Sequence, residues 1–181
     1  LSAAEVARAT VESLAENASD AVVAPLLWGA VAGLPGLLGY RAANTLDAMI
    51  GHRSPRYRKF GWAAARLDDL ANWVPARVAA LAAAAWAPLV GGTAAKTVNV
   101  VRRDASQHPS PNAGVVEAAF AGALDVRLGG HNCYKGAIED RGLLGDGRVV
   151  EIADIARASR LAAAVSITAL AVAVLFRGRR S

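Results

Sequence analysis

Three stretches of this chain stay apolar long enough to dominate its pattern, and the polar positions gather between them. Val22 to Leu38 runs 17 residues without a charge, at the lower limit for crossing a hydrocarbon core at about 1.5 Å per residue. Pro25 and Pro35 are expected to bend it. Val78 to Val90 is an Ala-dominated run behind Pro75 and Arg77 that ends at Gly91-Gly92. Its shortness leaves open a span, a re-entrant piece or a helix buried among others. Leu161 to Phe176 is uncharged for 16 residues and ends in Arg177, Arg179 and Arg180. That is the clearest crossing, and the arginines place the C-terminus in the cytoplasm by the positive-inside tendency. If all three cross, the loops Gly39 to Arg77 and Gly91 to Arg160 fall on opposite sides, yet both are basic. The second segment is therefore expected not to cross fully.

Periodicity predicts further helices over Ser2 to Ser19, Leu67 to Trp73 and Ala113 to Leu124, and one long helix from Ile152 to Val174. Ser2 with Glu5 three residues on has the form of a capping box. Gly129-Gly130 and Gly142 to Gly147 read as loop punctuation. No repeat of fixed period divides the chain, so residues 1–181 are expected to form a single all-α, multi-pass membrane domain with substantial polar loops.

Composition sharpens this picture. Hydrophobic residues make up 54% of the 181 positions but aromatics only 6%, so the apolar mass is Ala, Val and Leu, which suits helices. A mean hydropathy of +0.30 with a net charge of +5 fits a membrane protein with basic connections. No zinc-finger spacing or aromatic RNA-binding pattern accompanies the charge, which argues against nucleic acid. The lone Cys133 excludes an intrachain disulfide, and His131 beside it lacks a third ligand at recognisable spacing. The chain opens at Leu1 with no initiator Met and no secretory pattern, and reads as a fragment of a longer protein.

Candidate chemistry lies in four places. Glu12, Glu16 and Asp20 recur every four residues, a stripe suited either to a hard cation such as Mg²⁺ or to a solvated face beside Arg8. Tyr40 to Arg77 combines Arg41, Arg53, Arg66 and Arg77 with Asp47, Asp68 and Asp69, matching either phosphate ligands with their metal or anionic lipid headgroups. The paired acids Asp68-Asp69 favour the metal or ion-pair reading. In HPSPNAG, His108 to Gly114, prolines fix a turn ahead of a helix whose first N–H groups suit an anion, unless Ser110 or Asn112 caps them. His108 and Glu117 are the candidate proton acceptors. Gly129-Gly130 would let backbone approach a ligand. GGTAAKT, Gly91 to Thr97, has Ala95 where a phosphate-binding P-loop needs Gly, and no G-x-S-x-G elbow occurs.

Several of these phrases together resemble one family. ESLAENASD (Glu12 to Asp20) followed by Ala24-Pro25, NTLDAMIGHR (Asn44 to Arg53), ARLDDLANWVPAR (Ala65 to Arg77), HPSPNAG, AGALDVRLGG (Ala121 to Gly130) and Tyr134 with Gly136 are similar to the cobalamin-biosynthesis membrane proteins called CobD or CbiB. The likeness covers nearly the whole chain, with Ala21 where the family usually has Gly and without the family's N-terminal membrane segments. It implies an adenosylcobinamide-phosphate synthase: ATP-dependent amide formation between adenosylcobyric acid and aminopropanol or its phosphate.

That chemistry gives the residue types their expected roles. Mg²⁺ accompanying ATP would be held by Glu12, Glu16, Asp20, Asp68 and Asp69. Substrate and phosphate contacts would come from Arg41, Asn44, Asp47, Arg53, Arg66, Arg77, Ser110, Asn112, Gly114, Gly129 and Gly130. His108 or Glu117 would take the amine proton. Expected partners are the corrinoid and amine substrates, the lipid bilayer and other cobalamin-biosynthesis enzymes. The competing class is a non-catalytic corrinoid carrier, chaperone or sensory relative. The three apolar segments carry no ionisable residue, which favours chemistry in the loops over transport.

Overall fold

A computed structural model describes residues 2–51, 61–134 and 137–178, with the side chains of residues 131–140 left out. The element order is α1 (Ala3–Asn17), α2 (Ala24–Leu46), α3 (Gly61–Trp86), α4 (Ala94–Asp104), α5 (Ala113–Leu124), β1 (Leu128–Tyr134), β2 (Ala137–Leu144) and α6 (Ile152–Gly178). Single π-helical turns join α1 to α2 (Ala18–Val23) and extend α2 (Asp47–Gly51). The predicted capping box is present: the Ser2 hydroxyl accepts the Glu5 N–H at 3.3 Å, and the Glu5 carboxylate accepts the Ser2 N–H at 2.6 Å.

At the centre stands α5, which apart from Glu117 is apolar on every face and is buried from Val116 to Leu124. A helix without a polar face has to be surrounded. Here α1, α3, α4 and α6 enclose it. Alanines make the close approach possible: Ala76, Ala79 and Ala83 of α3 and Ala118 and Ala119 of α5 are all buried. Phe120, Leu124 and Leu161 fill the space that so many small side chains leave.

Three helical stretches are long and apolar enough to cross a membrane: Ala3–Gly51, Gly61–Val90 and Ile152–Gly178. Leu34, Leu81, Ile167 and Leu175 are each more than half exposed on them, as side chains facing lipid are. The second stretch is longer than its apolar run alone. Pro75 lies inside α3 rather than ahead of it, so the helix gains the turns from Gly61 onward and is long enough by itself. Pro25 leaves no break either, since it follows directly on the π-helical turn Ala18–Val23 inside the continuous stretch Ala3–Gly51. The break in α2 falls at Gly33, φ 65° and ψ −154°, two residues ahead of Pro35.

Between the second and third apolar segments, the helices expected over Ala113 to Leu124 and from Ile152 are present, and α4 and a hairpin join them. Thr93 of the rejected P-loop is the N-cap of α4, its hydroxyl accepting the Lys96 N–H at 3.2 Å. Of the glycines expected in loops, Gly129, Gly130 and Gly142 belong instead to an antiparallel hairpin, which pairs Leu128 with Leu144 and shifts register between Gly129 and His131, while Gly145 to Gly147 form the loop expected after it. Gly129 (φ 74°) and Gly142 (φ 67°) adopt backbone conformations that side chains resist. A Cβ on Gly129 would stand 2.1 Å from the Gly142 carbonyl oxygen. Behind the hairpin, Asp154 is fully buried at the start of α6, held by Arg148 (2.7 and 2.8 Å), Arg157 (2.6 Å) and the Glu151 N–H (2.9 Å).

Candidate functional site

Three of the motif-bearing segments meet at one corner, where the turn after α1, the second half of α2 and the first half of α3 pack together. Asp68 points into this corner. Its Oδ1 accepts from Asn44 Nδ2 at 3.2 Å and its Oδ2 from Asn72 Nδ2 at 3.0 Å. The Asn72 side chain is buried, and its Oδ1 lies 2.9 Å from the Tyr40 hydroxyl, which is itself 2.8 Å from the Asp20 carbonyl oxygen. Arg41 Nη1 donates to Asn44 Oδ1 at 3.3 Å. The carboxylates of Asp68 and Asp47 both repel that of Asp20 across the same space. This is a connected polar network from Arg41 to Asp20, built on residues up to 52 positions apart. Buried polar groups are costly unless satisfied, and here each amide serves two neighbours.

Asp69, though adjacent in sequence, leaves the corner. One residue of helix turns a side chain by about 100°, and Asp69 pairs instead with Arg66 at 3.8 Å. Its carbonyl accepts from Asn112 Nδ2 at 2.8 Å. Asn112 Oδ1 in turn accepts from Arg77 Nη1 at 3.0 Å, and the Arg77 guanidinium lies 4.4 Å above the Trp73 ring. Asn112 therefore ties the HPSPNAG turn to α3. Ser110 is the residue that caps α5, its hydroxyl facing the N–H groups of Asn112 (3.4 Å) and Ala113 (3.2 Å). Gly114 is required by packing, since a Cβ there would stand 2.3 Å from the Ala105 carbonyl oxygen.

A second polar group lies beneath the hairpin. Glu12, expected on a stripe with Glu16 and Asp20, is buried: its Oε1 accepts the Gly129 N–H at 2.8 Å and pairs with Arg8 at 3.3 Å. Arg8 also donates to the Gly129 carbonyl. The close backbone approach that Gly129 permits is thus used by α1. Glu16 is more exposed and faces Arg141 at 4.0 Å. Glu117, at the core of α5, has its carboxylate fully buried. Burial, reinforced by the charges of Glu16 and Glu12, pushes its carboxyl up to about 9. Glu117 therefore holds its proton at neutral pH, which suits a donor rather than the expected acceptor. His108 Nδ1 lies 3.0 Å from the Ser110 nitrogen and 3.3 Å from the Ser110 carbonyl oxygen, and its Nε2 stands 3.6 Å from Glu117 Oε1.

The five expected metal ligands therefore divide. Glu12 and Glu16 belong to the group under the hairpin, Asp20 and Asp68 to the corner, and Asp69 to neither. Among the described residues, no three carboxylate, His or Cys side chains converge as a metal cluster. Arg53 lies outside the described residues. Tyr40 and Asn72 went unremarked in the sequence, although Asn72, one turn beyond Asp68 in RLDDLAN, carries a readable i,i+4 spacing.

The family described as CobD/Cbib protein matches residues 1–162. A "Cobalamin biosynthesis protein CobD" of Mycobacterium tuberculosis is 58% identical over 173 residues, 96% of this chain and 55% of that protein. Relatives of the same name from Rhodobacter capsulatus (60% over 129 residues, 71% of the chain and 40% of the relative) and Rhizobium meliloti (57% over 148, 80% and 45%) agree. The chain spans about half the length of the curated relatives it matches. No solved structure matches. With motifs from α1 through the hairpin inside the matched range, the chain belongs to the CobD/Cbib protein family.

Proposed function

We propose that this chain acts in cobalamin biosynthesis as part of an ATP-dependent amide synthase, joining a propionate carboxylate of adenosylcobyric acid to aminopropanol or its phosphate. The observation that carries this reading is the corner where Asp68, Asn44, Asn72, Tyr40 and Asp20 meet. Helix, turn and loop segments far apart in sequence converge there on a carboxylate whose two oxygens are fixed by amides.

An unactivated carboxylate does not condense with an amine in water. In the proposed route the substrate carboxylate oxygen attacks a phosphorus of ATP and the nucleotide leaves. The amine nitrogen then displaces phosphate from the acyl carbon and loses one proton. Mg²⁺ arriving with ATP takes one or two protein carboxylates and keeps the rest of its shell for phosphate and water. Asp20 and Asp68, close enough to repel one another, fit that demand without a dedicated cage. Bound there, the ion would offset phosphate charge. Asn44 and Asn72 hold Asp68 in its orientation, and Arg41 adds positive charge at the rim. His108 is the group suited to take the amine proton, since Glu117 already carries one. The apolar helices α2, α3 and α6 would lie in the cell membrane, with the Arg177 end in the cytoplasm.

The test is amide formation by the full-length protein in detergent with adenosylcobyric acid, aminopropanol phosphate and Mg-ATP, followed by mass spectrometry. Product in step with ATP consumption is expected. Tight corrinoid binding without product would replace the synthase by a carrier.

A further inference from the structure

A cleft of about 440 Å³ opens between α3, α4 and the HPSPNAG turn, lined by Arg77, Arg102, Ser106, His108, Pro109 and Pro111. An apolar continuation shares Arg77 and Arg102 and is walled by Ala80, Leu81, Ala84 and Val98. Arg8, Arg66, Arg103, Arg141, Arg148 and Arg157 each stand within 4.0 Å of a carboxylate. Among the described residues Arg41, Arg77, Arg102, Arg127, Arg160 and Arg177 do not, and of these Arg77 and Arg102 line one cleft together. Arg77 is instead aimed by neutral groups, the Trp73 carbonyl at 2.8 Å and the Asn112 amide oxygen at 3.0 Å, over the Trp73 ring. Two guanidiniums therefore line one cavity with no internal counter-charge. A planar fork held by neutral partners keeps its charge available for a tetrahedral anion.

We infer that the cleft between α3 and α4 is a phosphate-binding site in which Arg77 and Arg102 share one phosphate group, with the Ser106 hydroxyl at its rim. The inference rests on the synthase reading only for which phosphate arrives there. A phosphate monoester of a small amine, the phosphate chain of a nucleotide, and a lipid headgroup whose tails follow the Leu81 and Val98 walls share this chemistry. Arg102, on the last turn of α4, is the residue the sequence motifs did not point to.

Isothermal titration calorimetry on the full-length protein tests it with three soluble probes: inorganic phosphate, O-phosphoethanolamine, and ATP without Mg²⁺. Arg102→Gln, at an exposed position that fold packing does not use, and Arg77→Lys are compared with Arg127→Gln as an arginine control elsewhere. Binding weakened about tenfold or more by both cleft substitutions and not by the control is expected. Preference for phosphoethanolamine assigns a monoester, and preference for ATP assigns a nucleotide. Binding seen in detergent but lost in phosphatidylglycerol nanodiscs, and kept in phosphatidylcholine ones, assigns the headgroup. If Arg102→Gln binds every probe as the unsubstituted protein does, or if no probe binds, the site is wrong. Calorimetry reads binding without turnover, so Arg102-dependent phosphate binding in a protein that makes no amide would sink the synthase reading alone.

Discussion

Asn72 and Asp68, one turn apart on α3, are joined by a 3.0 Å hydrogen bond that fixes a carboxylate between three helices. The other end of the Asn72 amide faces Tyr40 on α2. One buried side chain thus sets both the orientation of Asp68 and the docking of α2 on α3.

Replacing Asn72 by Leu leaves Tyr40 and Asp68 each short of a partner, and unsatisfied buried groups cost about 1–3 kcal/mol apiece. Asn72→Leu is expected to lose about 2–4 kcal/mol in detergent unfolding experiments, against about 1 kcal/mol for Tyr40→Phe, which removes only the hydroxyl. Equal stabilities for Asn72→Leu and the parent would dissolve the network.

Asp68 and Asp69 are expected to separate in function because the helix separates them in space. Asp68→Asn should lower turnover by about 100-fold or more while membrane insertion is retained, and Asp69→Asn by less than about tenfold. Steady-state rates of the two purified variants decide it. A larger loss for Asp69→Asn would move the reacting groups away from the corner.

Glu117 gives a pH dependence with a definite sign. Its folded value is raised to about 9 from the ordinary 4.5, so between those values the folded protein binds a proton that the unfolded chain releases. Stability attributable to this group is therefore complete below about pH 4.5 and declines up to about pH 9. Thermal unfolding at pH 5, 7 and 9 should show Glu117→Gln gaining on the parent as pH rises. A constant difference would mean that Glu117 is ionised throughout.

Asp154 is the reverse case, a buried carboxylate whose partners are complete. Removing one side of such a group strands the others, at about 3–5 kcal/mol. Asp154→Ala should lose that much stability, while the fraction that folds keeps its rate per molecule. A selective loss of rate with unchanged unfolding would give Asp154 a part in the chemistry.

Much of this was readable where one local rule acts alone. Ser2 and Glu5 cap α1 as their spacing predicts, and α5 occupies Ala113–Leu124 because the Pro111 turn and the apolar run each fix one end. The hairpin was hidden because its glycines speak for a turn wherever they stand. Only the pairing of Gly129 with Leu143 shows that they serve a bulged ladder. Pro25 and Pro75 misled for a related reason, since proline breaks a helix by position and the positions depend on where each helix begins. The three carboxylates Glu12, Glu16 and Asp20 share a helical stripe, yet the π-helical turn from Ala18 and the arrival of the hairpin send them to different neighbours. Periodicity describes one helix, and the site is made by several.

The hydrogen bond from the Gly129 N–H to Glu12 spans 117 residues of chain. A ribosome releases α1 long before it has made the strand that will receive it. Through that interval the Glu12 carboxylate remains in water or on its neighbour Arg8, and only completion of β1 locks it down. Helix α1 is thus fastened to a strand made much later than itself. Slow codons or a stalled chain between α5 and the hairpin would leave a species whose central helix is made but whose Glu12 still lacks its Gly129 partner.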